Sequence, residues 1–311
     1  MKRAVVLGYH TMGCVGLRAL VDHGFEVAAL FTHADSPSEE IWWESPAKLA
    51  SAHGIPVHIV SEMKSAEARE RIAACRPDFL FSFYFRSMIA PEILALAGDG
   101  ALNLHGSLLP GYRGRAPVNW ALVNGERETG VSLHYMVAKP DAGDLVDQES
   151  VPIFPQDTAY SLYRRLERAA RVLLDRALPA LVAGSAPRRA LDLASGSYFG
   201  GRRPSDGVID WHWPALRIYD LVRAVTHPYP GAFTEHDGER LWIWWAELAS
   251  VEGNGAPGEV LAVDSHGIVV ATGDGSLRLL MVQQQGEPEQ PAASYALVHA
   301  IEPGMSLGER K

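Results

Sequence analysis

Four short apolar runs, each separated from the next by a segment of helical character, constrain the fold of this chain more than any other feature. The runs are Arg3 to Gly8, Phe25 to Thr32 (FEVAALFT), Ile55 to Val60 and Asp78 to Phe85 (DFLFSFYF). Between them, MGCVGLRALVDHG places Val15, Leu17, Leu20 and Val21 on one helical face that closes at Gly24. SPAKLASAHG carries Pro46 near its start and Gly54 after its end, and SAEARERIAACR is built from good helix formers. A continuous apolar run has no face for water, so such strands are buried on both sides, and helical connections join them in parallel. The order predicts an α/β fold: a Rossmann-like, doubly wound, mainly parallel sheet whose ligands sit beyond the carboxyl ends of its strands. Gly8, Gly13 and Gly16 follow the first strand without the G-x-G-x-x-G spacing of a dinucleotide site. They read as glycines that let the first helix approach the sheet.

The stretch from Ala101 to Val118, ALNLHGSLLPGYRGRAPV, lies near such a carboxyl end. Its glycines and prolines exclude a regular helix and specify a loop of defined path. Asn103 and His105 are two apart, so in extended backbone they project on the same side. An amide that donates to an oxyanion and an imidazole that moves protons near neutral pH are the parts that acyl transfer requires. Asp141, at the acidic turn beyond the next strand, is the carboxylate best placed to accompany His105 and is expected to raise its pKa. No G-x-S-x-G elbow and no H-E-x-x-H motif is present, so the nucleophile is expected to come from the substrate. Asn103 and His105 could equally be structural polar residues; the glycines, prolines and arginines around them favour function. Arg113 and Arg115 can meet anionic parts of a ligand, with a surface salt bridge as the alternative for Arg113. His10, His33 and His134 lack a second ligand-type residue at useful spacing and read as structural; no metal is implied.

After the loop, Pro117 to Asn124 reads as a short helix, Asn124-Gly125 as a turn, and two strands flank the acidic turn at 139–144. Thr158 to Val182 is a long amphipathic helix ended by Gly184. The text from Ser185 to Ser205 is rich in Gly, Ser, Arg and Pro, which places a catalytic domain at 1–190, a linker at 191–205 and a β domain at 206–305. In that last part, strands separated by Asp-Gly, His-Gly and Gly-Asp-Gly turns predict an antiparallel sheet or small barrel. Trp242 and Trp244 share a face of one strand and Trp245 takes the other. A net charge of -9 argues against nucleic acid as a partner. Cys14 and Cys75 lack disulfide or metal spacing, and no apolar stretch reaches a membrane span, so no membrane insertion and a cytoplasmic location are expected.

NLHGSLLPGYRGRAP, followed by TGVSLHYM and DAGDLV, resembles the N-formyltransferase family that uses 10-formyltetrahydrofolate. The resemblance implies Asn103, His105 and Asp141 as the catalytic set. It also implies that the folate lies against Ser87, Met88 and Ile89, against Arg115, and against the loop Val137, Ala138, Lys139, Pro140 and Asp141. A smaller OB-like β-barrel after the linker is implied as well. GYHTMGCVGLRAL, LFTHADSP, FSFYFRSMI and HPYPGAF are similar to the branch that formylates UDP-4-amino-4-deoxy-L-arabinose for lipid A modification and polymyxin resistance. That branch implies a UDP-linked amino sugar as acceptor. Its bifunctional enzyme carries a decarboxylase half that needs some hundreds more residues, so only the formylating half is expected here. Methionyl-tRNA formyltransferase is the alternative within the family, and a non-catalytic folate or sugar-nucleotide binding protein the alternative outside it. The acidic charge and the tight Gly111 to Gly114 loop speak against the tRNA reading.

Overall fold

A computed structural model describes residues 1–37, 39–60, 63, 65–250 and 255–308. The chain divides into two units, one built from 1–117, 128–152 and 163–200, the other from 118–127, 153–162 and 201–311.

The first unit begins with the alternation read from the sequence: β1 (Arg3–Gly8), α1 (His10–Asp22), β2 (Glu26–Thr32), α2 (Pro46–Ala52), β3 (Val57–Ile59), α3 (Ala66–Cys75) and β4 (Phe79–Phe83). A single turn, α4 (Pro91–Leu94), leads to β5 (Gly100–His105) and β6 (Arg113–Gly114); α5 (Pro117–Val123) belongs to the second unit from residue 118, and then come β7 (Glu128–Tyr135), β8 (Leu145–Pro152), α6 (Ala159–Val182), which is in the first unit from residue 163, and β9 (Tyr198–Phe199). Its seven-stranded sheet has the order β3-β2-β1-β4-β5-β7-β8. The first five of these strands pair in parallel, whereas β7 pairs antiparallel with β5 and with β8. The strand order reverses between β1 and β4, the position where open α/β sheets leave a crevice.

Both faces of the sheet are dry. Val5, Leu7, Ala29, Phe31, Leu80 and Ala101 form one core with Ala68 and Ile72 of α3. On the other face Phe25, Phe79, Phe81 and Phe83 make a row of ring contacts, with Phe81 and Phe83 stacked at 5.8 Å. The glycines of α1 let the helix approach that row: a Cβ on Gly16 would stand 2.3 Å from the Phe83 ring. At the start of α1, His10 stacks on Trp43 at 4.3 Å and its Nδ1 lies 2.6 Å from the Tyr163 hydroxyl. That hydroxyl also accepts the Met12 amide at 3.1 Å, so its own proton goes to a neutral His10. The structural reading of His10 agrees with this packing.

The second unit holds α7 (Ala215–Val225), β10 (Ala232–His236), β11 (Glu239–Ala249), β12 (Val260–Asp264), β13 (Gly267–Ala271), β14 (Ser276–Gln284), β15 (Gln290–Pro291) and α8 (Ala292–Val298). Its strands form an antiparallel sheet in the order β10-β11-β14-β13-β12, with β15 on β14. Trp242 and Trp244 lie beside Gly231 on one side of β11, as their spacing predicts. Irregular pairing with β14 around Trp245 then moves the next fully buried position to Ala246. The earlier segments join this unit through polar contacts: Asn119 Nδ2 donates to the Ala224 carbonyl at 2.8 Å, and Arg223 Nη1 to that of Asp157 at 3.1 Å.

Because Phe83 is fully buried, Gly16→Ala is expected to cost about 1–3 kcal/mol through overpacking. Urea unfolding should show a lower midpoint at unchanged m-value; an unchanged midpoint would mean that the helix and ring separate freely.

Candidate active site

The loop after β5 is pinned from the strands beside it. Ser132 of β7 donates through Oγ to the Ser107 carbonyl at 2.6 Å and accepts the Leu109 amide at 3.0 Å. Gln148 of β8 donates to the Leu109 carbonyl at 2.9 Å, and Ser107 Oγ donates to the Gly111 carbonyl at 2.7 Å. Further along, β6 pairs with β9, and Tyr112 stacks on Phe199 at 5.0 Å. Tyr112 and Ala116 hold left-handed φ values of 56° and 52°, and Gly114 one of 101°. A Cβ on Gly114 would overlap the Phe199 carbonyl at 2.1 Å, so this position is closed to any other residue.

This path carries two backbone groups to the functional side chains. The Tyr112 carbonyl faces His105 Nε2 at 2.8 Å, and since a carbonyl only accepts, Nε2 carries hydrogen. The Gly114 amide donates to Asp141 Oδ2 at 2.8 Å. Asp141, held at φ 48°, turns Oδ1 toward three partners: His105 Nδ1 at 3.6 Å, His134 Nε2 at 3.4 Å and Asn103 Nδ2 at 3.4 Å. Asn103 Nδ2 also lies 3.2 Å from His134 Nε2. Thus Asn103, His105 and Asp141 come together, with Asp141 near His105 but beyond a formed hydrogen bond.

His134, read from the sequence as structural, stands inside this group. Antiparallel pairing sets it directly opposite Asn103, and its Nδ1 donates to the Tyr135 carbonyl at 2.9 Å, which leaves Nε2 to face the amide and carboxylate. Only the register of β5 on β7 reveals this. Ser132, Gln148 and Ser197, whose Oγ accepts the Tyr112 amide at 2.8 Å, are also invisible as site residues without the pairing.

Electrostatics revise one expectation. Burial lowers the His105 pKa and outweighs the attraction of Asp141, so the imidazole is neutral rather than raised toward the charged form. Burial alone would raise Asp141, but its hydrogen-bond donors, the Gly114 amide at 2.8 Å among them, hold its carboxyl well below the usual range. The pair is therefore an ionised carboxylate beside a neutral imidazole whose Nδ1 is a bare acceptor.

Of the segments implied for folate, Ser87 to Ile89 follows β4 and Val137 to Pro140 follows β7. Ile89 and Met136 pack on the same core, while Met88 and Val137 expose 53% and 46% of their surface. Ala138, Lys139 and Arg115 are exposed. Arg113 is not the surface salt bridge that the sequence left open: it is 7% exposed. Among the described residues, no group of three or more His, Cys, Asp or Glu side chains is placed to hold a metal, and no helix is long and apolar enough to cross a membrane.

An amide, an imidazole and a carboxylate thus converge where β5 ends. Residues 18–178 match the formyl transferase family and 202–299 match the formyl transferase C-terminal domain. The chain belongs to the formyl transferase family and is a formyltransferase. Its fold is similar to that of WlaRD, a sugar 3N-formyl transferase solved in the presence of dTDP and 5-N-formyl-THF, at 20% identity and TM-score 0.67 over 93% of this chain and 99% of that one. It is similar to an N-formyltransferase from Helicobacter canadensis in complex with folinic acid and dTDP-3-aminofucose, at 18% identity and TM-score 0.68 over 91% and 100%. HypX from Aquifex aeolicus is similar at 18% identity and TM-score 0.66 over 97% of this chain, which spans 48% of the HypX chain.

Buried imidazoles, His10 and His105 among them, make the fold acid-sensitive. Burial pushes His10 down to about 3 and also lowers His105, so both fall below the unfolded value near 6.5. The unfolded chain then binds more protons below pH 6.5, and stability should fall with pH by about 1.4 kcal/mol per unit for each group. Asp141 is depressed as well, but from the carboxylate range, so its contribution is lost only below about pH 4. Chemical unfolding between pH 7 and 5 should show the decline, shallower in His105→Gln; a flat wild-type profile would refute it.

Proposed function

We propose that this enzyme transfers the formyl group of 10-formyltetrahydrofolate to the 4-amino group of a UDP-linked amino sugar. UDP-4-amino-4-deoxy-L-arabinose, in lipid A modification, is the acceptor that the sequence motifs resemble. The observation that carries the reading is the convergence of Asn103, His105 and Asp141 within 3.6 Å in a chain of the formyl transferase family. The two N-formyltransferase structures, one solved in the presence of dTDP and 5-N-formyl-THF and the other in complex with folinic acid and dTDP-3-aminofucose, support the choice of donor and of a sugar-nucleotide acceptor. The folate is consumed, so it is a substrate, and the exposed Met88 and Val137 offer it apolar surface.

The chemistry follows from proton positions. The neutral amine forms a bond to the formyl carbon, and the carbonyl oxygen gains negative charge. Asn103 Nδ2, held by long contacts of 3.2 and 3.4 Å, exchanges the weaker one for that oxyanion. His105 Nδ1 takes the proton released by the amine, and the imidazolium is stabilised by Asp141 Oδ1, 3.6 Å away. The same proton passes to N10 of the folate as the bond from N10 to the formyl carbon breaks, which returns His105 to neutrality. Tyr112 fixes the tautomer throughout through its carbonyl on Nε2.

Asn103→Ala and His105→Ala are each expected to lower kcat roughly a hundredfold or more. Asp141→Asn should act alike, since the imidazolium loses its counter-charge. Formyl transfer measured with UDP-4-amino-4-deoxy-L-arabinose, and in parallel with charged initiator tRNA, tests the acceptor; activity on the tRNA alone would transfer the assignment to that substrate. Because His105 must be neutral and burial lowers its pKa, the acid limb of kcat/KM should lie below the ordinary histidine value. A limb above pH 7 would contradict the base role.

A further inference from the structure

His134 is 1% exposed and stands in β7 directly opposite Asn103 of β5. The pairing of β7 with β8 shifts register between Leu133 and His134, an irregularity of the kind that re-aims a side chain beside a site. A buried imidazole needs partners for both of its ring nitrogens. Nδ1 has one that only accepts, the Tyr135 carbonyl at 2.9 Å, so Nδ1 carries hydrogen. In the neutral ring Nε2 is then a bare acceptor, and it lies 3.2 Å from Asn103 Nδ2.

Asp141 Oδ1 completes a near-equilateral triangle, 3.4 Å from His134 Nε2 and 3.4 Å from Asn103 Nδ2. Two acceptors this close repel unless a donor serves both. The Asn103 carboxamide can do so from one end only, because its nitrogen carries two hydrogens and its oxygen none. With the oxygen turned inward, three acceptors would meet in a buried space without a hydrogen among them, which is strongly unfavourable. His134 and Asp141 together therefore fix which end of Asn103 faces the centre. The two acceptors have different duties in the reaction. Asp141 Oδ1 also faces His105 Nδ1 at 3.6 Å and becomes the counter-charge of the imidazolium, whereas His134 Nε2 stays with the amide.

We propose that His134 is a positioning residue for formyl transfer: its Nε2 holds one hydrogen of the Asn103 amide while the other turns from Asp141 to the oxyanion. This rests on the roles given above to Asn103 and Asp141. His134 acts through Asn103 and not on a substrate, so its loss is felt in kcat and not in KM.

Steady-state formyl transfer to UDP-4-amino-4-deoxy-L-arabinose tests it in the full chain with His134→Asn and His134→Gln, each alone and combined with Asn103→Ala. Asparagine can keep a donor for the Tyr135 carbonyl but brings no acceptor to the Nε2 position; glutamine can bring one. His134→Asn should lower kcat about tenfold with both KM values within about twofold, and His134→Gln should recover most of the loss. In the Asn103→Ala background His134→Asn should change kcat by less than about twofold, since the amide it would position is gone. An unchanged kcat in His134→Asn overturns the proposal, and so does an equal loss in both backgrounds, which marks His134 as a packing residue. Full activity in Asn103→Ala would refute the oxyanion role of that amide and the proposal with it. Long-range proton–nitrogen NMR of the wild-type chain labelled with 15N-histidine gives a readout that needs no turnover. The His134 signal, identified by its loss in His134→Gln, should show at neutral pH a protonated Nδ1 and a bare Nε2 whose shift moves in Asn103→Ala. A protonated Nε2 overturns the proposal. A wild-type enzyme inactive on this sugar but showing the expected spectrum would refute the choice of acceptor and leave His134 holding the amide.

Discussion

The carboxylate of Asp141 is the point on which the site depends. Its Oδ2 accepts the Gly114 amide while its Oδ1 faces Asn103, His105 and His134. One buried charge thereby fixes the loop after β5, the turn after β7 and the side chains between them. Asp141 sits at a left-handed φ of 48°, a conformation that aspartate adopts more readily than most residues and that the surrounding hydrogen bonds enforce. If the carboxylate were protonated, the Gly114 amide and the Asn103 amide would both lose the stronger acceptor, and the separate parts of the site would have less reason to stay together.

Neutral histidine beside ionised aspartate is the consequence of burial acting unequally. Burial disfavours charge on both groups, yet Asp141 is compensated by several donors, whereas His105 has one backbone acceptor and one carboxylate at 3.6 Å. The pair is therefore poised to accept a proton rather than to hold one. Under the proposed base role of His105, proton acceptance would create the salt bridge that the resting arrangement lacks, so that the electrostatic gain falls within the reaction, where it can lower a barrier.

The sheet supplies the rigidity that this arrangement requires. β5 ends at His105 between β4 and β7, with a dry core on both faces, and the loop beyond it is bonded to Ser132 and Gln148 on the neighbouring strands. The likeness to sugar N-formyltransferases at 18 and 20% identity shows that this frame tolerates wide change in sequence.

The amino-acid sequence by itself determined the alternation of β1 to β4 with their helices, because uninterrupted apolar runs can only be strands without a wet face. It determined the irregular path of Gly106 to Ala116 and the same-side projection of Asn103 and His105, which follow from local backbone chemistry. The acidic turn beyond the next strand offered Asp141 as the carboxylate and the family resemblance implied the same residue, although no spacing rule connects it to a histidine 36 positions earlier. Tertiary structure alone decided the rest. The register of β5 on β7 set His134 against Asn103; the β6–β9 pairing buried Arg113; irregular pairing around Trp245 broke the alternation of β11. The His105 charge was decided there too, since a pKa depends on how much water and how many partners the fold leaves around the ring, and neither is a property of neighbours in sequence.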